Sequence, residues 1–444
     1  MKNKPKNQGI KSTGFPSLFY NFATSAVVLS LIGPVLFREK ILKKPINGLN
    51  QRMGAYTTEE LADFHKGNPR IWIHAVSVGE VGAAMPIIKA LYEILPDCSI
   101  LVSSSTFHGL NQAKKKAGGR FPAVYPPIDF IGSVKKALRR TRPHALVLLE
   151  TEIWPNWISA AHNMGIKTIM ANGRISRRSV KSYMRLRPFF RPVLQKIDLF
   201  SMTGKGDARR ISMMGARPDR LVVNGNAKFD QIKTEPELKA EISALLPGLA
   251  TPVFVAGSTR SGEEEIILEV FKAIRNVFRE AVLILAPRHV ERAENIKKLI
   301  LKKNLTCQTL SHVHDNKKPL AAPVLLVDKM GFLFELYSLA HVVFCGGSLV
   351  PLGGQNVLEP TAWGKPVLFG PHMDDFKEAK ELLLNTRGAV EVKDGYDLTQ
   401  KALWLFNNPE KAKLMGQKGK KALMAHKGAA KKHALAIAGV LGMG

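Results

Sequence analysis

The stretch IWIHAVSVGEVGAAMPIIKAL, from Ile71 to Leu91, decides the fold class. It begins as an apolar, β-branched run that predicts a buried strand, and it continues with apolar residues at helical spacing. Gly79 and Glu80 stand between the two parts. We expect Gly79 to let the chain turn sharply off the strand end. A strand that leads directly into a helix is the repeating unit of a parallel α/β sheet.

The same alternation of strand-like and helix-like segments continues along the chain, with one break. Residues 225–252 are polar, contain Pro236 and Pro247 and include no long strand, which is typical of a linker. The pattern therefore predicts two doubly wound α/β domains with a ligand cleft at the carboxyl ends of their strands. The predicted organisation is a basic segment and membrane anchor (1–45), a first domain (46–224), a linker (225–250) and a second domain with basic C-terminal helices (251–444).

Composition indicates a globular chain with an anionic partner. The 444 residues include 65 Lys and Arg against 36 Asp and Glu, a formal net charge of +29. Such an excess favours nucleic acid, an acidic membrane face or a phosphorylated substrate, and charge alone does not choose among them. The three cysteines are far apart, which excludes a disulfide framework and a paired zinc spacing. Cys98 and Cys345 lie in apolar runs and are expected in the core.

The N-terminal region predicts a membrane anchor. No charged residue occurs from Ser12 to Phe37, and the part from Phe22 to Phe37 is strongly apolar. A span needs ~20 such residues. Lysines precede the run and a second basic cluster follows it, which predicts an uncleaved anchor with a cytoplasmic body at the inner membrane. Gly33 and Pro34 leave a shallow interfacial segment as the alternative.

Acidic residues mark two predicted strand ends of the first half. Glu80 falls near a helix N-terminus, where it is either a favourable first-turn residue or a general base. In LLETEIWPNW, Glu150 and Glu152 end an apolar strand, and residues two apart in a strand share a face. An ion pair of these acids with Arg174 or Lys228 is the structural alternative.

The second half contains two strand ends suited to an anion. FCGGSLVPLGGQNVLEP places two glycine pairs after a strand, and Asn356 and Glu359 at the start of a helix, so backbone amides are expected to approach a phosphate. In LAPRHVE, Arg288 follows another strand. The sequence lacks a P-loop, a GxGxxG turn, HExxH and GxSxG, which argues against an ATPase, a dinucleotide enzyme, a metal site and an α/β-hydrolase.

Taken in order, seven motifs resemble one family, the Kdo transferases of lipopolysaccharide assembly. They are IWIHAVSVGE, ETEIWPNWI, ANGRISRRS, GNAKFD, AGSTRSGEEE, APRHVE and GGSLVPLGGQNVLEPTAWGKPVLFGPH. The resemblance implies a GT-B fold of two Rossmann-like domains and an inverting transfer of Kdo from CMP-Kdo to the lipid A precursor, lipid IVA. It also implies no metal, no cofactor and no nucleic-acid partner. The basic, anchored body suits an anionic inner-membrane surface.

The resemblance also implies roles for individual residues. Glu80 matches the catalytic base, and Glu150 and Lys228 match positions that stabilise the transition state. The positions that match CMP contacts are Pro287, Arg288, Met330, Gly331, Phe332, Asn356, Val357, Leu358 and Glu359. Phe332 stands where the family usually has Glu, so backbone contacts are expected there. Gly82, Gln355 and Val357 are further departures from the family pattern.

Two alternatives compete with this interpretation. One is another membrane-associated GT-B sugar transferase that uses a different nucleotide sugar. The other is a non-catalytic, basic protein that binds a membrane or nucleic acid. The aromatic content of 7% and the lack of RNA-binding signatures argue against the second alternative.

Overall fold

The computed structural model describes Tyr20, Thr24 and residues 48–232, 240–245, 252–315 and 319–443. Apart from Tyr20 and Thr24, the predicted anchor lies outside the described residues. Within these ranges, none of the helices has the length and apolar content that a membrane crossing needs. The chain divides into two compact units, Met1–Gln231 with Lys427–Gly444 and Ile232–His426.

The first unit is built on a seven-stranded parallel sheet of order β3-β2-β1-β4-β5-β6-β7. Its strands are β1 (Arg70–His74), β2 (Ser99–Ser103), β3 (Ala123–Val124), β4 (Ala145–Leu149), β5 (Lys167–Gly173), β6 (Leu199–Met202) and β7 (Leu221–Val223). Every residue of β2 and β4 is buried, as expected when helices cover both faces of a sheet.

In the first unit, two helices precede β1, and at least one helix follows each strand from β1 to β6. These helices are α1 (Leu49–Arg52), α2 (Thr58–Lys66), α3 (Val78–Ile94), α4 (Phe107–Ala117), α5 (Ile131–Thr141), α6 (Pro155–Asn163), α7 (Arg177–Arg185), α8 (Arg187–Leu194) and α9 (Lys205–Met214). Short 3₁₀ turns occupy Pro218–Arg220 and Ala227–Gln231. The turn at Ala227–Gln231 packs on the first unit although the sequence placed it in a linker.

The second unit repeats the plan with a seven-stranded parallel sheet of order β10-β11-β9-β8-β12-β13-β14. The strands are β8 (Val253–Thr259), β9 (Val282–Pro287), β10 (Cys307–Thr309), β11 (Val324–Leu326), β12 (Val342–Cys345), β13 (Val367–Phe369) and β14 (Ala389–Glu391). Cys98 and Cys345 are buried, in agreement with the sequence analysis.

Helices again separate the strands of the second unit. They are α10 (Ala240–Ser243), α11 (Glu263–Val277), α12 (Ala293–Lys302), α13 (Leu310–Asp315), α14 (Leu333–Leu336), α15 (Leu358–Ala362), α16 (Lys377–Asn385), α17 (Gly395–Asn407) and α18 (Pro409–Ala425). The 3₁₀ turns of this unit are Val290–Arg292, Tyr337–Leu339 and Asp374–Phe376.

The end of the chain differs from the predicted second domain of residues 251–444. The last helix, α19 (Ala429–Val440), packs on α3 and belongs to the first unit. Asp230 accepts hydrogen bonds from the amides of Gly428 (2.8 Å) and Ala430 (2.6 Å) at the start of this helix. The small apolar face of α19, which includes Ala434, is fully buried there.

Candidate active site

Glu80 lies in the first turn of α3, directly beyond the carboxyl end of β1. Ser77 is the N-cap of this helix, and its hydroxyl donates to Glu80 Oε1 over 3.1 Å. The amide of Val76 donates to Glu80 Oε2 over 2.7 Å. The carboxylate is therefore held at the strand-to-helix junction, and its first-turn position is also favourable for the helix.

The surroundings of Glu80 raise its pKa toward neutral pH. Burial is the main cause, and the negative charges of Glu150 and Glu152 add to it, whereas the Val76 amide and the Ser77 hydroxyl act in the opposite direction. Together they raise the pKa of Glu80 to about 7. A carboxylate with such a pKa can accept a proton from a bound hydroxyl at physiological pH.

The expectation that Gly79 makes a sharp turn is wrong. Gly79 is the second residue of α3, and its φ lies outside the positive range. A Cβ at this position would lie 4.0 Å from Lys228 Nζ, an ordinary contact distance. The Lys228 ammonium therefore lies beside the first turn of α3, close to the segment that carries Glu80.

Lys228 and Glu150 form an ion pair, with Lys228 Nζ 2.6 Å from Glu150 Oε1. Among the described residues, none donates a well-directed hydrogen bond to this oxygen, so the contact with Lys228 is an ion pair. Arg174 Nη1 lies 3.9 Å from the other Glu150 oxygen. Both structural partners named from the sequence, Arg174 and Lys228, are thus found at Glu150.

The idea that Glu150 and Glu152 share one face of a strand is wrong, because β4 ends at Leu149. Glu150 has a positive φ of 54°, a conformation that non-glycine residues adopt at a cost. Glu152 accepts a hydrogen bond from the Trp154 indole over 2.7 Å. Burial raises the pKa of Glu152, and Glu150 adds to the shift. The two acids nevertheless lie close together.

Asn172, at the end of β5, supports this cluster. It is fully buried and has a φ of 52°. Its Oδ1 accepts a hydrogen bond from the amide of Ala227 over 2.8 Å. The Glu150 amide donates to Ala171 O over 3.1 Å. Asn172 thus ties the turn that carries Lys228 to the strand end beside Glu150.

In the second unit, Arg288 follows β9, as the sequence predicted, and Pro287 is the buried last residue of that strand. Burial raises the pKa of Glu359, while the Asn356 side chain and the Arg288 charge act against the shift. Asn356 Nδ2 donates to Glu359 Oε1 over 3.1 Å. The structure therefore brings Arg288, Asn356 and Glu359 into one neighbourhood.

The other proposed CMP-contact residues divide into buried and exposed ones. Val357 and Leu358 are buried, so only their backbone is available to a ligand. Met330 is 62% exposed, and Gly331 has a φ of 93° with open space on its Cβ side. The Phe332 ring packs edge-on against His314 at 5.1 Å between centroids.

The first glycine pair does not offer its amides to a phosphate, contrary to the sequence analysis. The buried Glu263 carboxylate accepts hydrogen bonds from the amides of Gly347 (2.6 Å), Ser348 (3.0 Å) and Leu349 (3.0 Å). It also accepts from the amide of Arg260 over 2.9 Å. Glu263 therefore joins the loop after β12 to the loop after β8. The helix that follows the second glycine pair, α15, has only five residues.

Comparison with known proteins identifies the family. A family model described as 3-deoxy-D-manno-octulosonic-acid transferase (kdotransferase) matches residues 47–231. A 3-deoxy-D-manno-octulosonic acid transferase of Haemophilus influenzae is 32% identical over 362 residues, which are 81% of this chain and 84% of that protein. The chain belongs to the Kdo transferase family. The resemblance stated from the motifs is confirmed, and the chain is a glycosyltransferase of that family.

Two further matches bear on the extent and fold of this transferase. A bifunctional glycosyltransferase/methyltransferase of Fusobacterium nucleatum is 37% identical over 361 residues, 80% of this chain but only 55% of that protein. The crystal structure of a UDP-GlcNAc 2-epimerase from Neisseria meningitidis matches with a TM-score of 0.55 at 14% identity. It covers 83% of this chain and 99% of that one, and it shows the fold alone. The prediction of two parallel α/β domains of GT-B type is confirmed.

The sequence analysis did not identify Asn172, which supports the strand ends of the first unit near Glu150. It also missed Glu263 and Arg260 at the strand ends of the second unit. The pattern Ser77-x-x-Glu80 is a recognisable helix-capping signal that could have placed Glu80 more closely. No comparable signal separates Glu263 from the two glutamates that follow it. Among the described residues, no group of three or more His, Cys, Asp or Glu side chains could hold a metal ion.

Proposed function

We propose that this protein transfers Kdo from CMP-Kdo to lipid IVA, the lipid A precursor, in lipopolysaccharide core biosynthesis. The observation that carries the proposal is Glu80, a carboxylate with a pKa near neutrality beside the Lys228–Glu150 ion pair, in a chain of the Kdo transferase family. Glu80 is the general base. Glu150 and Lys228 stabilise the transition state.

The reaction is a single displacement with inversion. Glu80 removes the proton from an acceptor hydroxyl while the oxygen attacks the anomeric carbon of Kdo. The bond from that carbon to the phosphate oxygen breaks, and CMP leaves with the electron pair. Positive charge on Lys228 offsets the negative charge that develops on the leaving group, and Glu150 steadies the oxocarbenium-like sugar. No metal ion takes part in this scheme.

The donor nucleotide binds at the strand ends of the second unit. Arg288 offers a planar, permanently charged group that suits a phosphate. Glu359 and Asn356 offer hydrogen-bonding groups for ribose hydroxyls or the base. The exposed backbone at 330–332 supplies further contacts in place of the glutamate side chain that the family usually has at Phe332.

We place the protein at the cytoplasmic face of the inner membrane, anchored by its N-terminal region. Tyr20, within that region, donates a hydrogen bond to the buried Asp129 carboxylate over 2.9 Å. The segment 177–197, which forms α7 and α8, contains seven Lys or Arg and no Asp or Glu. Leu186 between these helices is 57% exposed. A basic surface with an apolar tip suits an anionic leaflet, where each basic residue contributes ~1 kcal/mol.

The direct test is incubation of the protein with CMP-Kdo and lipid IVA, followed by mass spectrometry of the lipid. We expect the lipid mass to rise by one or more Kdo units, also in the presence of a metal chelator. The Glu80→Gln variant should give no product while CMP still raises its melting temperature. An unmodified lipid with the wild-type protein would refute the proposal.

The alternative of another nucleotide sugar has its own test. CMP should raise the melting temperature of the wild-type protein, and UDP should not. Stabilisation by UDP instead of CMP would favour the alternative transferase.

A further inference from the structure

Two arginines follow adjacent strands at the carboxyl edge of the second sheet. Arg260 follows β8 and Arg288 follows β9, and these strands pair in parallel with Thr259 opposite Pro287. The Arg288 amide donates to Thr259 O over 3.0 Å, which fixes the two strand ends together. In the described part of the chain, no carboxylate forms an ion pair with either guanidinium. The edge therefore offers two separate cationic groups.

The Arg260 side chain is oriented by its neighbours. Its Nη1 lies 2.7 Å from His289 Nε2. Because a guanidinium can only donate, His289 Nε2 accepts, and the imidazole proton is on Nδ1. That nitrogen lies 3.1 Å from Glu291 Oε1. Among the described residues, His289 accepts from one of the five side-chain N–H donors of Arg260, and the other donors are available to a ligand.

The backbone beneath Arg260 is also fixed. Its amide donates to Glu263, the same carboxylate that binds the loop after β12. The preceding residue, Thr259, is fully buried, and its hydroxyl donates to Glu264 over 3.1 Å. Arg292 donates to Glu264 over 2.8 Å. Such support is typical of a group that must meet a ligand in one geometry.

Helix stability does not explain a cation at this position. Arg260 precedes the N-terminus of α11, where the helix dipole is positive and a positive charge is unfavourable. A site for an anion explains it. The donor of the proposed reaction carries two anions, the phosphate and the carboxylate of 3-deoxy-D-manno-octulosonic acid, and a guanidinium matches a carboxylate with two parallel hydrogen bonds.

We propose that Arg260 recognises the carboxylate of the sugar acid in the donor, while Arg288 binds the phosphate. Arg260 is then the residue of the second unit that distinguishes a nucleotide-linked sugar acid from the free nucleotide. This inference rests on the proposed function, because it presumes that CMP-Kdo is the donor.

The test compares Arg260→Gln, Arg260→Lys, Arg288→Ala and the exposed Arg279→Ala in the full chain. For each variant, the KM for CMP-Kdo and the Kd for CMP are measured. Arg260→Gln should raise the KM about 10- to 100-fold, as loss of a charged hydrogen bond does. It should leave the Kd for CMP within about twofold, because CMP lacks the carboxylate. Arg260→Lys should retain part of the affinity, Arg288→Ala should weaken both ligands, and Arg279→Ala should weaken neither.

Two results would overturn the assignment. An unchanged KM in Arg260→Gln would show that this residue does not contact the donor. An equal loss of CMP and CMP-Kdo affinity would place it at the nucleotide instead. Unchanged melting temperatures check that the variants fold. If the wild-type protein neither binds CMP nor uses CMP-Kdo, the proposed function itself fails, which is a different outcome from either of these.

Discussion

The Lys228 ammonium lies 2.6 Å from the Glu150 carboxylate, although the two residues are far apart in sequence. Their meeting depends on two neighbouring strand ends that both contain a residue with positive φ, Glu150 at 54° and Asn172 at 52°. Such conformations persist only where the surrounding contacts enforce them, and they are enriched at functional sites. The ion pair and the two strained strand ends therefore form one structural unit beside Glu80.

Removal of the Lys228 charge should impair turnover strongly. We expect Lys228→Ala to lower kcat about 10²- to 10³-fold, because the leaving group loses a preorganised positive charge. The exposed Lys135→Ala is the matched control and should have wild-type kcat. Combining Lys228→Ala with Glu150→Gln should cost less than the product of the single effects, since the two groups act as a unit. Full additivity in steady-state kinetics would contradict this coupling.

The raised pKa of Glu80 predicts the pH dependence of the reaction. A general base must be ionised, so kcat/KM should fall about tenfold per pH unit below pH 7 and level off above it. Glu152→Gln removes a negative charge that raises the Glu80 pKa, so the acid limb should move to lower pH while the plateau rate is retained. An unchanged pH profile of kcat/KM in Glu152→Gln would contradict the electrostatic argument.

The raised pKa of Glu80 also predicts that the stability of the protein falls as the pH rises, whereas its activity increases. Between the ordinary pKa of 4.5 and about 7, the folded protein binds more protons at Glu80 than the unfolded chain does. The contribution of Glu80 to the free energy of unfolding therefore falls as the pH rises through this window. Glu80→Gln lacks this penalty, so urea unfolding at pH 8 should show it to be at least as stable as wild type. A clear loss of stability of Glu80→Gln at pH 8 would show that the hydrogen bonds accepted by the Glu80 carboxylate outweigh this penalty.

Asn172 is predicted to position Lys228 through Ala227. Asn172→Gly keeps the positive φ without strain but removes the acceptor for the Ala227 amide. We expect kcat to fall about tenfold, of the order of one lost buried hydrogen bond, with the CMP affinity unchanged. Asn304 also has a positive φ, of 57°, so Asn304→Gly is the matched control and should be fully active. Equal activity of both variants would remove the positioning role.

The parts of the site that could be predicted are those that depend on local sequence. Arg288 was placed correctly because a buried strand ends next to it. The Ala227–Asn172 and Gly347–Glu263 hydrogen bonds could not be predicted, because they join segments that are distant in sequence. The same limit explains the error at the first glycine pair, where backbone amides that look available to a phosphate are bound by a buried side chain.

Loss of the Glu263 carboxylate should destabilise the second unit. Glu263→Ala leaves four backbone amides without their acceptor, including those of Gly347 and Ser348, which are buried. A cost of about 3 kcal/mol is expected, which lowers the melting temperature of a unit of this size by about 6–12 °C. The control is Glu265→Ala, because its exposed ion pair with Lys303 should matter little, with a shift below about 2 °C. Calorimetry with equal shifts for both variants would mean that the Glu263 carboxylate does not hold the loop.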